Sequence, residues 1–556
     1  MDETFDFIVV GSGGGSMCAA LVMKSQGKSV LILEKTDLFG GTTAMSGGVM
    51  WIPNNPFMKP AGVEDSPDQA MRYLDNVVGD HDDTPGASRE RRMTYVTEAP
   101  RMVEFLTAQG IKLRRIPYWP DYDDDRPGGS EAGRTVVAEL FDASELGEWR
   151  TKLRPNFVEL PGSLDEVMSL AHMKQTWIGK RNLVRIALRG VAAKLTGKHW
   201  VTAGNALQGR MFQAAIKAGV DMRANAAVKR LETGEDGGVT GVVAQIDGQE
   251  RRFAARDGVL VNAGGFSRNQ AMRDRYQPGT SVEWTNASPG DTGEMIQEMM
   301  RIGADIAQME EMVGCQVTLT PENPEIHPMV QADVSSPHSI IVDQSGVRYM
   351  REAQSYMRWC QEVLERNKTV PAIPSWLVLD SQFMKKYMLS GSLPFGRKPP
   401  SWIESGFLKK ADTLTGLAEI CGMEPGKLEA SVERFNGFVR KGRDEDFHRG
   451  ERAYDRYLGD PTHKPSPSLG TVEQAPFYAV KIYPGDVGTY GGVVTDVNAR
   501  VLRADGSPIP GLYATGISTA SVMGRAYPGA GSSVGPSFVW GYVAAKHAAH
   551  AGNQMG

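Results

Sequence analysis

Cysteine is scarce in this chain: four residues in 556, at Cys18, Cys315, Cys360 and Cys421, with no CxxC pair among them. That spacing argues against a disulfide framework and against a cysteine-based zinc site, and it fits a reducing compartment. Long apolar runs are missing too, since none approaches the roughly 18 residues that a membrane-crossing helix needs. The first residues, MDETFDFIVVGSG, are acidic and lead straight into a strand pattern, whereas a secretory signal needs a basic start and a long apolar core. A cytoplasmic location is expected. Neither charge sign dominates: Lys and Arg number 61 against 66 Asp and Glu, a formal net charge of -5. Electrostatics therefore supplies no reason to expect a nucleic-acid partner. The nine histidines show no ligand spacing, so no metal is expected, and His327 and His338 read as structural.

What the chain does have is glycine in informative places. FDFIVVGSGGGSMCAALVMKSQGKSVLILEK reads as strand, glycine turn, helix and strand, the βαβ unit of a dinucleotide-binding fold. Gly11 permits the tight turn, Gly13 lets the backbone approach a pyrophosphate, and the helix beyond offers free N–H groups and partial positive charge. Ser16 stands at the third glycine position of GxGxxG. Glu34 closes the second strand, where a carboxylate can accept hydrogen bonds from an adenosine ribose. NAD and FAD share this unit, so it does not choose between them.

The next segment, Leu38 to Gly48, contains GGTTAMSGG, which resembles a loop of the fumarate reductase-like flavoprotein superfamily and favours FAD. Two later pieces agree with that pattern: GVLVNAGGF from Gly258 to Phe266, and GLYATG from Gly511 to Gly516. Because these pieces lie at both ends of the chain, a length that predicts two or three structural units resolves into a discontinuous arrangement. The expected fold is α/β, a Rossmann-like FAD-binding domain over 1–309 and 488–556 with an α+β substrate domain inserted at 310–487. SPGDTGE, from Ser288 to Glu294, resembles the superfamily's TGDG segment with Thr292 where its last glycine would be.

Across nearly its whole length the chain resembles the 3-ketosteroid Δ1-dehydrogenases. The segments that carry this are GGTTAMSGGVMWIPNN, PDYDDDRPGG, GVRYMREAQSY, DEDFHRGERAYDRYLGDPTHKPSPSLG, PGDVGTYGG and RAYPGAGSSVGP. Fumarate reductases, the nearest rival, carry an arginine four residues after the glutamate of their R-F-x-N-E-x-x-x-R pattern; here Tyr356 holds that position, and Arg351 replaces the asparagine before Glu352. Their C-terminal His and Arg are likewise absent, and Tyr527 and glycines stand there. A neutral hydroxyl suits a ketone better than a carboxylate.

The resemblance implies FAD as cofactor and a 3-ketosteroid as substrate, with a proton leaving the carbon α to the ketone and a hydride passing from the β carbon to flavin N5. It implies that the Tyr527 hydroxyl and the Gly531 N–H hold the ketone oxygen, that Tyr356 takes the proton as tyrosinate, and that Tyr122 assists it. Tyr118 is the alternative to Tyr122 if the loop is shifted. A free tyrosine has a pKa near roughly 10, so the base needs hydrogen bonds to its ionised form. Asp121, Asp123, Asp124 and Asp125 would oppose this from close by and are expected to face solvent. Tyr490 reads as packing or pocket lining. Implied cofactor contacts, besides Gly11, Gly13 and Glu34, are Gly14, Lys35, Gly41, Thr42, Ser46, Gly47 and Gly48 near the start, then Ala263, Gly264 and Asp291, and finally Gly516, Ser532 and Val534. An external electron acceptor, a quinone or similar, must re-oxidise the flavin.

Alternatives on the same fold are a 3-keto-5α-steroid 4-dehydrogenase and a desaturase of a smaller cyclic ketone. A different class, a flavin-binding protein without catalysis, would need neither Tyr356 nor Tyr527. One stretch lies outside this scheme: Trp177 to Lys194 mixes cations with apolar residues at helical spacing. It reads either as a helix packed on the domain with a solvated basic face, or as a membrane-surface helix on the inner face that collects a lipophilic substrate.

Overall fold

Phe7, Ile8, Val9 and Val10 are buried without alternation, the pattern of a central parallel strand covered on both faces. The computed structural model describes residues 3–79, 84–157, 159–323, 325–392, 394 and 398–554. In it the strand Glu3–Val10 pairs in parallel with Val30–Leu33 on one side and with Gln249–Val261 on the other. Asp221–Arg223 and Pro508–Ala514 extend the parallel row at its two sides. An antiparallel pair, Ala226–Thr233 and Val239–Ile246, and the edge strand Arg500–Leu502 complete an eight-stranded sheet.

The register sets where a ligand can sit. Val10 is level with both Leu33 and Val261, and Val261 with Ala514, so four parallel strands end along one line. Ligands of open α/β sheets bind beyond such carboxyl ends.

Helix Gly14–Ser25 packs against the C-terminal helix Val534–Gln554 at backbone contact. A Cβ on Gly15 would fall 2.2 Å from the Ser537 carbonyl oxygen, and one on Gly541 would fall 2.3 Å from the Gly15 oxygen. The packing that the motif's third glycine provides elsewhere is thus supplied here by Gly15, and Ser16 is free for another use: its Oγ accepts a 2.9 Å bond from Asn262 Nδ2.

A second sheet of five strands is antiparallel throughout: Met312–Val317, Phe477–Thr489, Ser375–Asp380 and Ser339–Val342, with Leu408–Ala411 also on Phe477–Thr489. It has its own core, in which Trp359, Leu377 and Ile482 pack together. The α/β sheet with an inserted α+β unit is therefore the architecture of the chain. The strand Phe477–Thr489 runs on beyond 487, the expected end of the inserted unit, and its last residue pairs with Met312. A third, small antiparallel sheet, Val49–Trp51, Thr135–Ala138 and Leu113–Arg115, supports the loop that carries Tyr122.

Candidate active site

The turns beyond the four aligned strand ends form one long cleft of about 1210 Å³ including its open mouth. Gly11, Gly13, Glu34 and Lys35 line it from the βαβ unit, and Gly41, Thr42 and Ser46 from the following loop. Ala263, Gly264, Asp291, Gly516 and Val534 line it from the distant segments. Gly14, Gly47, Gly48 and Ser532 do not. A Cβ on Gly14 would strike Phe538 at 2.0 Å and one on Gly48 would strike the Ala203 carbonyl carbon at 2.4 Å, while the Ser532 hydroxyl turns to the Gly529 oxygen.

The cleft suits FAD. Gly13 caps the first helix without a side-chain hydrogen bond and the first turn carries no acid, so that turn's N–H groups and dipole are directed at an anion such as a pyrophosphate. Glu34 is held by Ser12 Oγ at 2.5 Å and by the Thr36 N–H and Oγ1 at 2.9 Å each, which fixes a carboxylate at the ribose position. Lys35 Nζ donates to Thr292 Oγ1 at 2.6 Å and pairs with Glu294. Asp291 accepts from the Gly265 N–H and, at 3.3 Å, from the Ser267 N–H; burial pushes its carboxyl up to about 6. It braces the turn in which Gly264 has φ +81°. Toward its other end the cleft becomes apolar at Val313, Val487 and Ile517, as the flat ring system of a flavin requires.

Beside that apolar end, three tyrosines from distant parts of the chain converge. The Tyr356 ring lies 4.8 Å from that of Tyr527 and 5.5 Å, edge-on, from that of Tyr122; Tyr122 and Tyr527 are stacked at 5.9 Å. The loops are stitched by the Pro528 carbonyl, which accepts from the Tyr122 N–H at 2.9 Å and from the Tyr73 hydroxyl at 2.6 Å. Trp51 Nε1 donates to Asp121 at 2.8 Å, and a Cβ on Gly529 would fall 2.5 Å from the Trp51 ring. Gly531 has φ +91° and packs where a Cβ would lie 2.3 Å from the Val49 oxygen, so only glycine fits. Ser533 Oγ is 2.9 Å from the Tyr527 oxygen, and the backbones of Gly531 and Ser533 lie close enough to offset part of the rise that burial gives this phenol. The Tyr527 hydroxyl and the Gly531 backbone are thus neighbours in one turn, the two groups from which a two-donor carbonyl site could be built.

Tyr356 is the first residue of the helix Tyr356–Asn367. A phenolate there gains about 0.3–2 kcal/mol from the helix dipole, a helper that sequence reasoning missed. Burial works the other way and, with neighbouring Tyr122 and Tyr527, raises the Tyr356 phenol well above its usual value. Burial also raises Tyr122 and Tyr527, and the Tyr356 hydroxyl acts on both by hydrogen bonding.

Two expectations need correction. Asp121, expected to face solvent, is 2% exposed: it accepts from Ser130 N–H at 3.1 Å and from Arg134 Nη1 at 2.8 Å. A fully buried guanidinium requires a buried carboxylate beside it. Asp123 and Asp124 are half-buried as well. Asp123 pairs with Arg452 at 2.8 Å, and Asp124 accepts the N–H groups of Ala453 and Tyr454 at 2.9 and 3.0 Å; only Asp125 is exposed. Tyr118, the alternative to Tyr122, is 79% exposed.

Tyr454 was not singled out from the sequence, although it lies in the segment DEDFHRGERAYDRYLGD; its ring is 4.2 Å from Tyr122, and Gln331 Nε2 donates to its hydroxyl. Tyr490 is buried with its hydroxyl on the Ser532 oxygen at 3.0 Å. His338 Nδ1 bonds the Thr471 oxygen at 2.8 Å and His327 donates its N–H to Asn286, both in structural settings. Among the described residues no group of acids, cysteines and histidines could hold a metal ion.

Asp121→Ala is expected to lower stability by about 3 kcal/mol, the lower end for breaking a buried pair because Asp65 still holds Arg134. A shift of the urea midpoint measures it, and an unchanged midpoint would contradict the reading of this pair.

Residues 6–534 match the family model described as an FAD binding domain. The chain is 39% identical to the 3-oxosteroid 1-dehydrogenase of Mycolicibacterium smegmatis over 98% of its own length and 97% of the relative's. It is 34% identical to a 4-oxocyclohexanecarboxylate 2-dehydrogenase of Sinomonas cyclohexanicum, over 98% of this chain and 92% of that one. Among solved structures, the 3-ketosteroid Δ1-dehydrogenase of Sterolibacterium denitrificans, in complex with 1,4-androstadiene-3,17-dione, superposes with a TM-score of 0.91 at 33% identity, covering 99% of this chain and 100% of that one. Matched along its whole length in sequence and fold, the chain belongs to the FAD-binding flavoenzyme family that includes the 3-oxosteroid 1-dehydrogenases.

Proposed function

We propose that the protein is an FAD-dependent 3-ketosteroid Δ1-dehydrogenase, which introduces a double bond between the first two carbons of ring A beside the C3 ketone. The observation that carries this is the meeting of Tyr122, Tyr356 and Tyr527 at the apolar end of the cofactor cleft, with the Gly531 backbone beside the Tyr527 oxygen. Bound FAD supplies the oxidant that accepts the hydride. Tyr527 and Gly531 each donate to the ketone oxygen, and each such donor in a dry site is worth on the order of 3 kcal/mol as enolate charge develops. Tyr356 takes the proton from the carbon next to the carbonyl, and Tyr122 donates a hydrogen bond to the phenolate that does so. Anaerobic mixing with a 3-keto-4-ene steroid is expected to bleach the flavin absorbance within a single turnover. A flavin that stays oxidised would end the steroid assignment.

The same chemistry on a smaller ring ketone is the second reading, favoured by the relative that acts on 4-oxocyclohexanecarboxylate. Comparing kcat/KM for the steroid with that for a cyclohexanone separates the two.

The acceptor that re-oxidises the enzyme is proposed to be a quinone, reached at a membrane surface. No described helix is long and apolar enough to cross a membrane. The helix Trp177–Thr196, however, buries only Gly179, Asn182 and Ile186, and it exposes Trp177, Ile178, Val184, Leu188, Val191 and Leu195. Lys180, Arg181, Arg185 and Lys194 stand exposed on the same helix, a mixture suited to the interface of an anionic bilayer. This favours the membrane-surface reading over a solvated helix. Co-sedimentation with vesicles containing an anionic lipid is expected at low salt and is expected to fail for Trp177→Glu combined with Leu188→Glu. A wild-type protein that stays in the supernatant would remove the idea.

A further inference from the structure

A second cleft, about 1150 Å³ with its mouth, opens beside Tyr527 and shares no lining residue with the cofactor cleft. Arginine dominates its lining: Arg126, Arg351, Arg358, Arg452 and Arg525 stand there with two acids, Asp123 and Glu362. Three of these arginines are engaged, Arg452 with Asp123 at 2.8 Å and Asp125 at 3.0 Å, Arg358 with Glu362 at 3.1 Å and Arg525 with Glu311 at 2.6 Å. Arg351 is not fully used. Its Nε donates to the Phe447 oxygen at 2.7 Å, but its buried Nη1 has no hydrogen-bond partner and lies 3.9 Å from Asp455.

A second donor on the same wall is in the same state. Ser355, only 5% exposed, is the N-cap of the twelve-residue helix Tyr356–Asn367, yet its hydroxyl makes neither a capping bond nor any other. Buried donors are nearly always satisfied. An unpartnered hydroxyl, an unpartnered guanidinium N–H and a helix N-terminus along one arginine-lined wall are the donor set that receives an oxyanion.

We propose that this cleft is an oxyanion subsite that takes a carboxylate or phosphate group next to the ketone-binding tyrosine. The anion has two sources to be told apart: an acid group carried by the ketone substrate, which rests on the function proposed above, or a free anion, which does not.

The test titrates the holoenzyme with inorganic phosphate at low ionic strength in a calorimeter. Saturable binding at one site per chain is expected, weakened about tenfold by Arg351→Gln and several-fold by Ser355→Ala. The serine variant leaves every ion pair of the cleft in place, so it decides the matter if Arg351→Gln does not fold. No saturable binding, or binding unchanged in Ser355→Ala, would overturn the proposal. KM values for a cyclohexanone bearing a ring carboxylate and for its methyl ester then identify the source. A lower KM for the acid, with phosphate competing, makes the anion part of the substrate; equal KM values with phosphate still bound make it a free ligand. If neither ketone is oxidised, the smaller-ring reading fails and the steroid reading stands on its own test, while the phosphate titration still judges the subsite.

Discussion

Tyr356→Phe is expected to lower kcat for ketone oxidation by about 10³-fold, within the 10²–10⁴-fold range of a positioned general base. The substitution removes one oxygen and leaves the ring, which contacts Tyr122 and Tyr527 at 5.5 and 4.8 Å, so the cluster should keep its packing. FAD content and thermal stability should therefore be unchanged, and KM should move little. The pH dependence supplies an independent sign. Burial raises the Tyr356 phenol well above its usual value, and the base acts as phenolate, so wild-type kcat/KM should rise as pH rises, without a plateau before roughly pH 10. In Tyr356→Phe that rise should disappear. A variant that keeps wild-type turnover and the same alkaline rise would remove Tyr356 from the role of base.

Tyr527→Phe is expected to cost about 10²–10³-fold in kcat, the effect of removing one donor from a carbonyl-stabilising site. Its oxygen lies beside the Gly531 and Ser533 backbones, so the remaining donor still holds the ketone and KM should rise only modestly. Because this loss falls on oxyanion stabilisation and not on proton removal, the alkaline rise in kcat/KM should survive in Tyr527→Phe. That contrast separates the two tyrosines even if their rate losses are similar. Equal turnover of wild type and Tyr527→Phe would place the ketone elsewhere.

Much of the cofactor cleft was legible in the sequence because its logic is local. Gly11 and Gly13 lie between a strand and a helix, and Glu34 ends the next strand, so spacing alone brings all three to one sheet edge. Gly14, Gly47, Gly48 and Ser532 belong to the same motifs yet do not line the cleft. A motif names a stretch, whereas the fold decides which of its residues turn inward. Asp121 failed as an expectation for a related reason. A run of four acids among five residues looks solvated, and nothing nearby in the chain shows that Arg134 lies beneath it.

The tyrosine site was legible only through resemblance. Tyr122, Tyr356 and Tyr527 are separated by more than a hundred residues at each step and share no periodicity. Tyr454, whose ring is 4.2 Å from Tyr122, had the same resemblance behind it but no local feature to mark it.

By itself the sequence determined the βαβ unit, its anion-binding turn, the discontinuous α/β architecture and the preference for FAD. The first two rest on residues within a few positions of one another, where strand and helix periods act; the last two rest on motifs at both ends of the chain that resemble a flavoprotein superfamily. Tertiary structure alone decided that Tyr454 joins the tyrosine cluster, that Asp121 neutralises a buried arginine, and that the helix Trp177–Thr196 leaves its apolar residues uncovered. These depend on burial and on contacts between segments far apart in the chain, and the free energy of such contacts is set by the packed chain as a whole, not by any stretch of it.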